Sequence, residues 1–308
     1  MYRREFLKML ASGMAAGWAY KCWPGVFPIA GDASAAPSLV IAGLADAHLR
    51  DGNAQRPEAI ALARAVAEIK NLSPAPHLVI FAGDLAHDGN ADALALGQEI
   101  LSELAMPVPA VRGEGDGSPE TGGAGRRFFD KGRFLCNHEG VNLLGLDTVW
   151  QDSPQGPGFA LGIRQRLWLA QVLPRLEPAT PLLVISHAPL IPIHRPWGQW
   201  TMDSGPLLSH LARFENVLYL HGHVHHGAFL AGDLSEVSGP DSESFRVLKT
   251  DNRKPSHLAL PATSWPLPSP LTGTPRELRP GMGPRGCGWA LLRQGGQQSR
   301  FQQVLWQV

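Results

Sequence analysis

The stretch "VRGEGDG", Val111–Gly117, ends a short apolar run and sets two acidic residues among three glycines. A glycine-rich loop after a strand has two very different meanings. In a dinucleotide-binding fold it opens a helix whose N-terminus takes a phosphate. Here "SPETGGAG" (118–125) follows, which is too rich in proline and glycine to start that helix. The loop therefore reads as one of a series of strand ends, and the meaning of its acids depends on what the other strand ends carry.

Working outward, "PSLVIAGLAD", "PHLVIFAGD", "MPVPAVRGEGD", "VNLLGLDTV", "PLLVISHAP" and "NVLYLHGHVHH" are apolar runs that close on polar residues, the pattern of buried strands. "RPEAIALARAVAEIKNL", "ADALALGQEILSELA" and "GIRQRLWLAQVLPRL" carry apolar residues at helical spacing, the first with Pro57 near its start. Strands alternating with helices predict an α/β layered fold over residues 36–308, without internal repeat or dividing linker. "GCGWALLR" and "RFQQVLWQV" read as closing strands, and 232–255 as a polar long loop or hairpin. The 27 basic and 27 acidic residues cancel, so no basic surface points to nucleic acid.

The strand ends carry a consistent chemistry. "ADAHL" sets Asp46 and His48 two residues apart, a spacing that puts both on one side of an extended segment. "FAGDLAHDG" gives Asp84, "ISHAP" gives His187, and "HGHVHH" gives His223 and His225. Imidazoles mixed with carboxylates suit zinc, iron or manganese better than calcium or magnesium. Each fragment alone has an ordinary explanation, such as an Asp that caps a helix. These four and the glycine-acid loop, five in order and each just past a strand, do not.

In that order D-x-H, G-D, a glycine-acid loop, S-H-x-P and G-H-x-H resemble the calcineurin-like metallophosphoesterase family, in its class III cyclic-nucleotide phosphodiesterase-like branch, over most of residues 38–292. The resemblance implies a four-layer α/β/β/α sandwich of two mixed sheets flanked by helices. It implies two divalent or trivalent metal ions (iron, manganese or zinc), and a metal-bound hydroxide that attacks a phosphate ester. Asp46, His48, Asp84 and His225 would hold one ion; Asp84, His187 and His223 would hold the other, with Asp84 bridging.

The family's third motif is G-N-H-D or G-N-H-E. The aligned residues here are Gly113, Glu114, Gly115 and Asp116. Glu114 replaces a neutral Asn ligand with an anionic one. Gly115 replaces the His that assists the leaving group, a loss within the 10²–10⁴-fold that general acid catalysis contributes. Asp84, Glu114, Asp116 and His187 are the expected catalytic residues, and His87, Asp116, His194 and His226 the candidates to replace the missing acid. Arg195, Trp197 and Trp200 of "IHRPWGQW" (193–200) line a substrate pocket or pack as a cap.

The N-terminus has Arg3-Arg4, then "FLK", a short Gly/Ala-rich apolar run, and Ala33 and Ala35 as an A-x-A site. It resembles a twin-arginine signal peptide over residues 1–35, which predicts export of the folded protein to the periplasm or medium by the twin-arginine machinery, without a stable membrane anchor. Cys22 leaves with the signal; Cys136 and Cys287 remain, free or paired. The expected function is an exported phosphodiesterase acting on a small-molecule phosphate ester. The alternatives are a catalytically impaired relative that binds metal and a phosphate ligand, and a metal storage protein.

Overall fold

The computed structural model describes residues 39–117, 128–129, 132–150, 158–192, 199–225, 228–230, 234–238, 244–249, 256–260, 263, 288–295 and 298–305. The expected export signal (1–35) lies outside them, as do His194, Arg195, Trp197, His226 and Cys287.

The apolar runs form strands because they are buried on both faces, which is what a parallel strand requires. β1 (Leu39–Leu44), β2 (Leu78–Ala82) and β8 (Leu182–Ser186) are buried at every position. β1, β2 and β3 (Ala110–Val111) run parallel. They sit in a seven-stranded sheet of order β11-β12-β15-β14-β1-β2-β3, where β14 (Gly288–Gly295) lies antiparallel to β1. β11 (Leu234–Ser238), β12 (Ser244–Lys249) and β15 (Gln298–Leu305) complete it. The second sheet has six strands in the order β10-β13-β9-β8-β5-β4. Its parallel centre is β13 (Ser256–Ala259), β9 (Val217–His221), β8 and β5 (Val141–Leu146); its antiparallel edges are β10 (Ala228–Leu230) and β4 (Phe134–His138).

Strand alternation sorts the side chains into three cores. Leu39, Ile41, Leu78 and Ile80 of the first sheet pack with Leu143, Leu183, Ile185, Leu218 and Leu220 of the second. The other face of the first sheet, Val40, Ala42, Leu44, Val79 and Phe81, packs on α1 (Pro57–Lys70) and α2 (Ala91–Leu101). The other face of the second, Leu144, Leu182, Val184 and Tyr219, packs on α3 (Gly162–Val172) and α4 (Gly205–Leu211). The packing order is helices, sheet, sheet, helices. Local signals agree with it: Pro57 opens α1, and the Asn90 side chain caps α2 by accepting from Asp92 N and Ala93 N.

The polar segment 232–255 contains a hairpin, β11 against β12. Several short elements had no periodic signal long enough to read: α4, the edge strands β4 and β10, and the ribbon of β6 (Val149–Trp150) with β7 (Gly158–Phe159). Among the described residues no helix is long and apolar enough to cross a membrane.

Candidate metal centre

The segments that follow the carboxyl ends of β1, β2, β3, β8 and β9 converge, the usual place for a site in such sheets. Three groups of donor atoms have all members within 4.8 Å of one another: Asp46, His48 and His225; Glu114, His187 and His223; and Asp46, Asp84 and His187. Asp46 and His187 link the groups. All of these residues are buried except Glu114, whose side chain is 39% exposed.

Asp46 and His48, and likewise His223 and His225, do not converge by lying along an extended strand. Both pairs sit beyond the strand ends, and all four residues have left-handed backbone, with φ of 56°, 49°, 67° and 55°. Asp84 shares this conformation, with φ 57°. Tight turns rather than pleat alternation therefore aim these side chains. The turn after β1 is tied to the turn after β2 by Asp46 N to Gly83 O and His48 N to Asp84 O, each 2.9 Å.

Glu114 lies in a 3₁₀ turn (Glu114–Asp116) directly after β3. One carboxylate oxygen is 2.8 Å from His187 Nε2 and the other 2.9 Å from His223 Nδ1. The far side of each ring is also occupied. His187 Nδ1 is 2.8 Å from Ala82 O, and His223 Nε2 is 2.9 Å from Gln199 Oε1. With those oxygens as acceptors, each ring presents a lone pair to Glu114. A lone pair facing a carboxylate oxygen at this distance is favourable only with a proton or a cation between them. His48 Nε2 and His225 Nε2 likewise face each other at 2.9 Å. Gln199 was not among the residues read from the sequence; glutamine in a polar loop carries no signal of its own.

Asp116 has a different environment. It is buried, and its oxygens accept from the backbone N–H groups of Asp84 (2.9 Å), Ala86 (2.9 Å) and Gly113 (2.8 Å). These bonds pin the loop against the end of β2. Arg112 fastens it from the other side, through Asp147 Oδ2 (2.8 Å), Gly117 O (2.9 Å) and Val149 O (3.2 Å). His87 is exposed, and its ring stands edge-on to His48 with centroids 5.8 Å apart. Trp200 and Cys136 are half-buried.

The loop is so close to β2 that Gly113 and Gly115 have no room for a side chain. A Cβ on Gly113 would collide with Asp84 Oδ1, and one on Gly115 would lie 2.5 Å from Ala86 O. Gly115 N also donates to Asp84 Oδ1 at 2.7 Å.

The electrostatics call for cations. Burial raises Asp46 to about 7, with His187 opposing and Glu114 adding to the rise. Burial also raises Asp84 well above the carboxylate range. Burial and the neighbouring His225 lower His48 to about 3. On Glu114 burial works against the charge, yet His187 and His223 hold its carboxyl well below the ordinary value. Burial lowers His187 too, but the Asp84 and Glu114 carboxylates raise it well above its ordinary value, so in the absence of metal a proton stands where a cation would. Carboxylates and imidazoles crowded out of water match the donor chemistry of zinc, iron or manganese, so these residues fit metal ions.

The pattern that defines the calcineurin-like phosphoesterase family matches residues 39–227. A curated relative described as a probable glycerophosphodiester phosphodiesterase GpdQ, from Arcobacter nitrofigilis, is 29% identical over 176 residues. That match spans 54% of this chain and 62% of the relative. Among solved structures, a dimetal phosphatase from Danio rerio has TM-score 0.54 at 15% identity, covering 88% of this chain and 100% of that one. The purple acid phosphatase PPD1 from yellow lupin (Lupinus luteus) has TM-score 0.55 at 12% identity, covering 84% of this chain and 49% of that one. At these identities the structural likeness concerns the fold.

Two outcomes follow from the geometry. Gly115→Ala, and more so Gly115→His, should cost roughly 1–3 kcal/mol of stability, because the new Cβ meets backbone at Ala86; denaturant unfolding of both variants checks this, and unchanged midpoints would contradict it. The second concerns pH. Asp46, raised from 3.8 to about 7, binds its proton more tightly folded than unfolded, so metal-free stability falls as pH rises towards about 7. His48, lowered to about 3, acts in the opposite sense but only below its ordinary 6.5. From about 6.5 upward the carboxylate effect is joined by His187, which burial lowers but the Asp84 and Glu114 carboxylates raise well above 6.5; both lose stability as pH rises. Metal-free protein should therefore melt at lower temperature as pH passes from 6.5 through 7, and the gain from added zinc or manganese should widen over that interval. Thermal scans with and without metal test it; a flat metal-free profile would count against it.

Proposed function

The chain belongs to the calcineurin-like phosphoesterase family, and from that membership we propose that it is an exported, metal-dependent phosphodiesterase acting on a small phosphate ester. The observation that carries this reading is the convergence of Asp46, His48, Asp84, Glu114, His187, His223 and His225 into linked groups of donors. Asp46, His48, Asp84 and His225 would hold one ion, and Asp84, Glu114, His187 and His223 would hold the other, with Asp84 offered to both. When bound, two such ions supply Lewis acidity and an activated water.

The chain's own residues supply orientation. Ala82 O and Gln199 Oε1 fix the tautomers of His187 and His223. Gly115 N–H holds one oxygen of Asp84 and leaves the other directed at His187 and His48. Asp116 holds the loop. Gly115 brings no side chain to protonate a leaving group, and His87, exposed beside His48, is the described candidate for that proton. Diesters whose leaving group departs without help then suit the site best. The relative described as a probable glycerophosphodiester phosphodiesterase supports the diester class. The loss of the family histidine at Gly115 also supports a second reading, an impaired homologue that binds metal and a phosphate ligand.

One sample decides between these readings: mature protein purified without chelator, with metal content by mass spectrometry and bis-p-nitrophenyl phosphate turnover measured together. About two ions per chain with turnover is expected, and rates should fall more steeply with leaving-group pKa than in a relative with an intact G-N-H-D loop. Two ions and no turnover under added manganese, zinc or iron would leave the binding protein. Export rests on Arg3, Arg4 and the A-x-A site. Replacing both arginines with lysine should hold the protein in the cytoplasm on cell fractionation; unaltered export would refute the twin-arginine route.

A further inference from the structure

We propose that Glu114 sets the charge of the substrate this centre accepts, favouring a singly charged phosphodiester over a doubly charged phosphomonoester. The inference rests on the phosphodiesterase reading above and assigns its selectivity to one side chain.

Glu114 differs from the other anionic donors by its place. Asp46 and Asp84 have side chains 0% and 2% exposed, whereas that of Glu114 is 39% exposed. Its charge therefore stands at the open side of the centre, where a ligand arrives. Among the described residues its ion pairs are with His187 and His223, not with an arginine or lysine that would offset it. The donor set holds three carboxylates, Asp46, Asp84 and Glu114, and four imidazoles, which ligate metal as neutral rings. With two divalent ions the formal charge is about +1, against about +2 with a neutral residue at 114. A diester monoanion neutralises a +1 centre. A monoester dianion overfills it and meets the carboxylate at the mouth. One unit charge a few ångström away in a half-solvated site changes affinity by roughly 10- to 100-fold. Because the interaction scales with ligand charge, removing Glu114's charge should help a dianion by about the square of what it gives a monoanion.

The test is equilibrium binding, which needs no turnover. Metal-loaded wild-type protein and Glu114→Gln, which keeps the length and an oxygen donor, are titrated calorimetrically in mildly alkaline buffer. The probes are inorganic phosphate, a dianion there, and dimethylphosphinate, a monoanion. Metal content is measured on the same samples. With two ions retained, Glu114→Gln should bind phosphinate about 10-fold and phosphate about 100-fold more tightly than wild type. Equal gains for the two probes, or none, would overturn the proposal while leaving the phosphodiesterase reading intact. Should Glu114→Gln lose an ion, Glu114→Asn is measured in the same way. Loss of the second ion from both variants also overturns the proposal, since Glu114 would then act as an indispensable ligand and not as a charge. Failure of the wild-type protein to take two ions would overturn the proposal together with the reading it rests on.

Discussion

The carboxylate of Asp84 is the fixed point of the site. Its backbone N–H is held by Asp116, its Oδ1 by the Gly115 N–H, and its Oδ2 lies 3.5 Å from His187 Nε2 and 3.7 Å from His48 Nδ1. One oxygen is committed to a peptide and the other to the centre. The other strand ends are positioned from here. The turn after β1 hangs on Gly83 O and Asp84 O, His187 is oriented by Ala82 O, and the loop after β3 is clamped by Asp116. A shift at the end of β2 would therefore move every ligand group at once. β2 is buried throughout between β1 and β3, which makes such a shift costly.

The left-handed residues show what that rigidity is used for. Among the described residues, six that are not glycine have positive φ; five of them are Asp46, His48, Asp84, His223 and His225. Each such conformation costs on the order of 1–2 kcal/mol for a residue with a Cβ. Local strain of this kind persists only where surrounding structure over-determines it. Packing alone has no reason to place it at five ligand candidates. The two sheets hold the strand ends rigidly, and the strain is stored where the side chains must converge.

The parts legible in the sequence were those with a repeating physical signal. Long apolar runs gave the buried strands, helical spacing gave α1, α2 and α3, and the D-x-H and G-H-x-H spacings led to residues that do gather. The reason inferred for that gathering was incomplete, because left-handed turns, invisible in residue spacing, do the aiming. The role of Asp116 was hidden for a related reason. An acid in a glycine loop looks equally suited to proton transfer and to accepting backbone N–H groups, and the distances show it doing the second. Gln199 acts through one long-range hydrogen bond, to His223 with |i−j| of 24, and Arg112 through two, to Asp147 and Val149 with |i−j| of 35 and 37. No local pattern encodes such contacts. Short edge elements such as β4 and β10 have too few residues to show a period.

The two departures at residues 114 and 115 belong together physically. Drawing the loop against β2 lets Gly115 N–H reach Asp84 at 2.7 Å, and the same closeness leaves no space for a Cβ at 113 or 115. A histidine at 115 would meet the Ala86 carbonyl, so the glycine there and the loop's closeness to β2 go together. The residue between the two glycines is the one left to carry a donor. Glutamate there spans from the drawn-in loop to both His187 and His223, one oxygen for each. The cost is an added negative charge at the open side of the centre. Under the function proposed above, such a site gives up a proton donor at 115 and gains an anionic carboxylate that faces both His187 and His223. Under that proposal the arrangement suits an ester whose leaving group departs without a proton and whose phosphate carries a single charge.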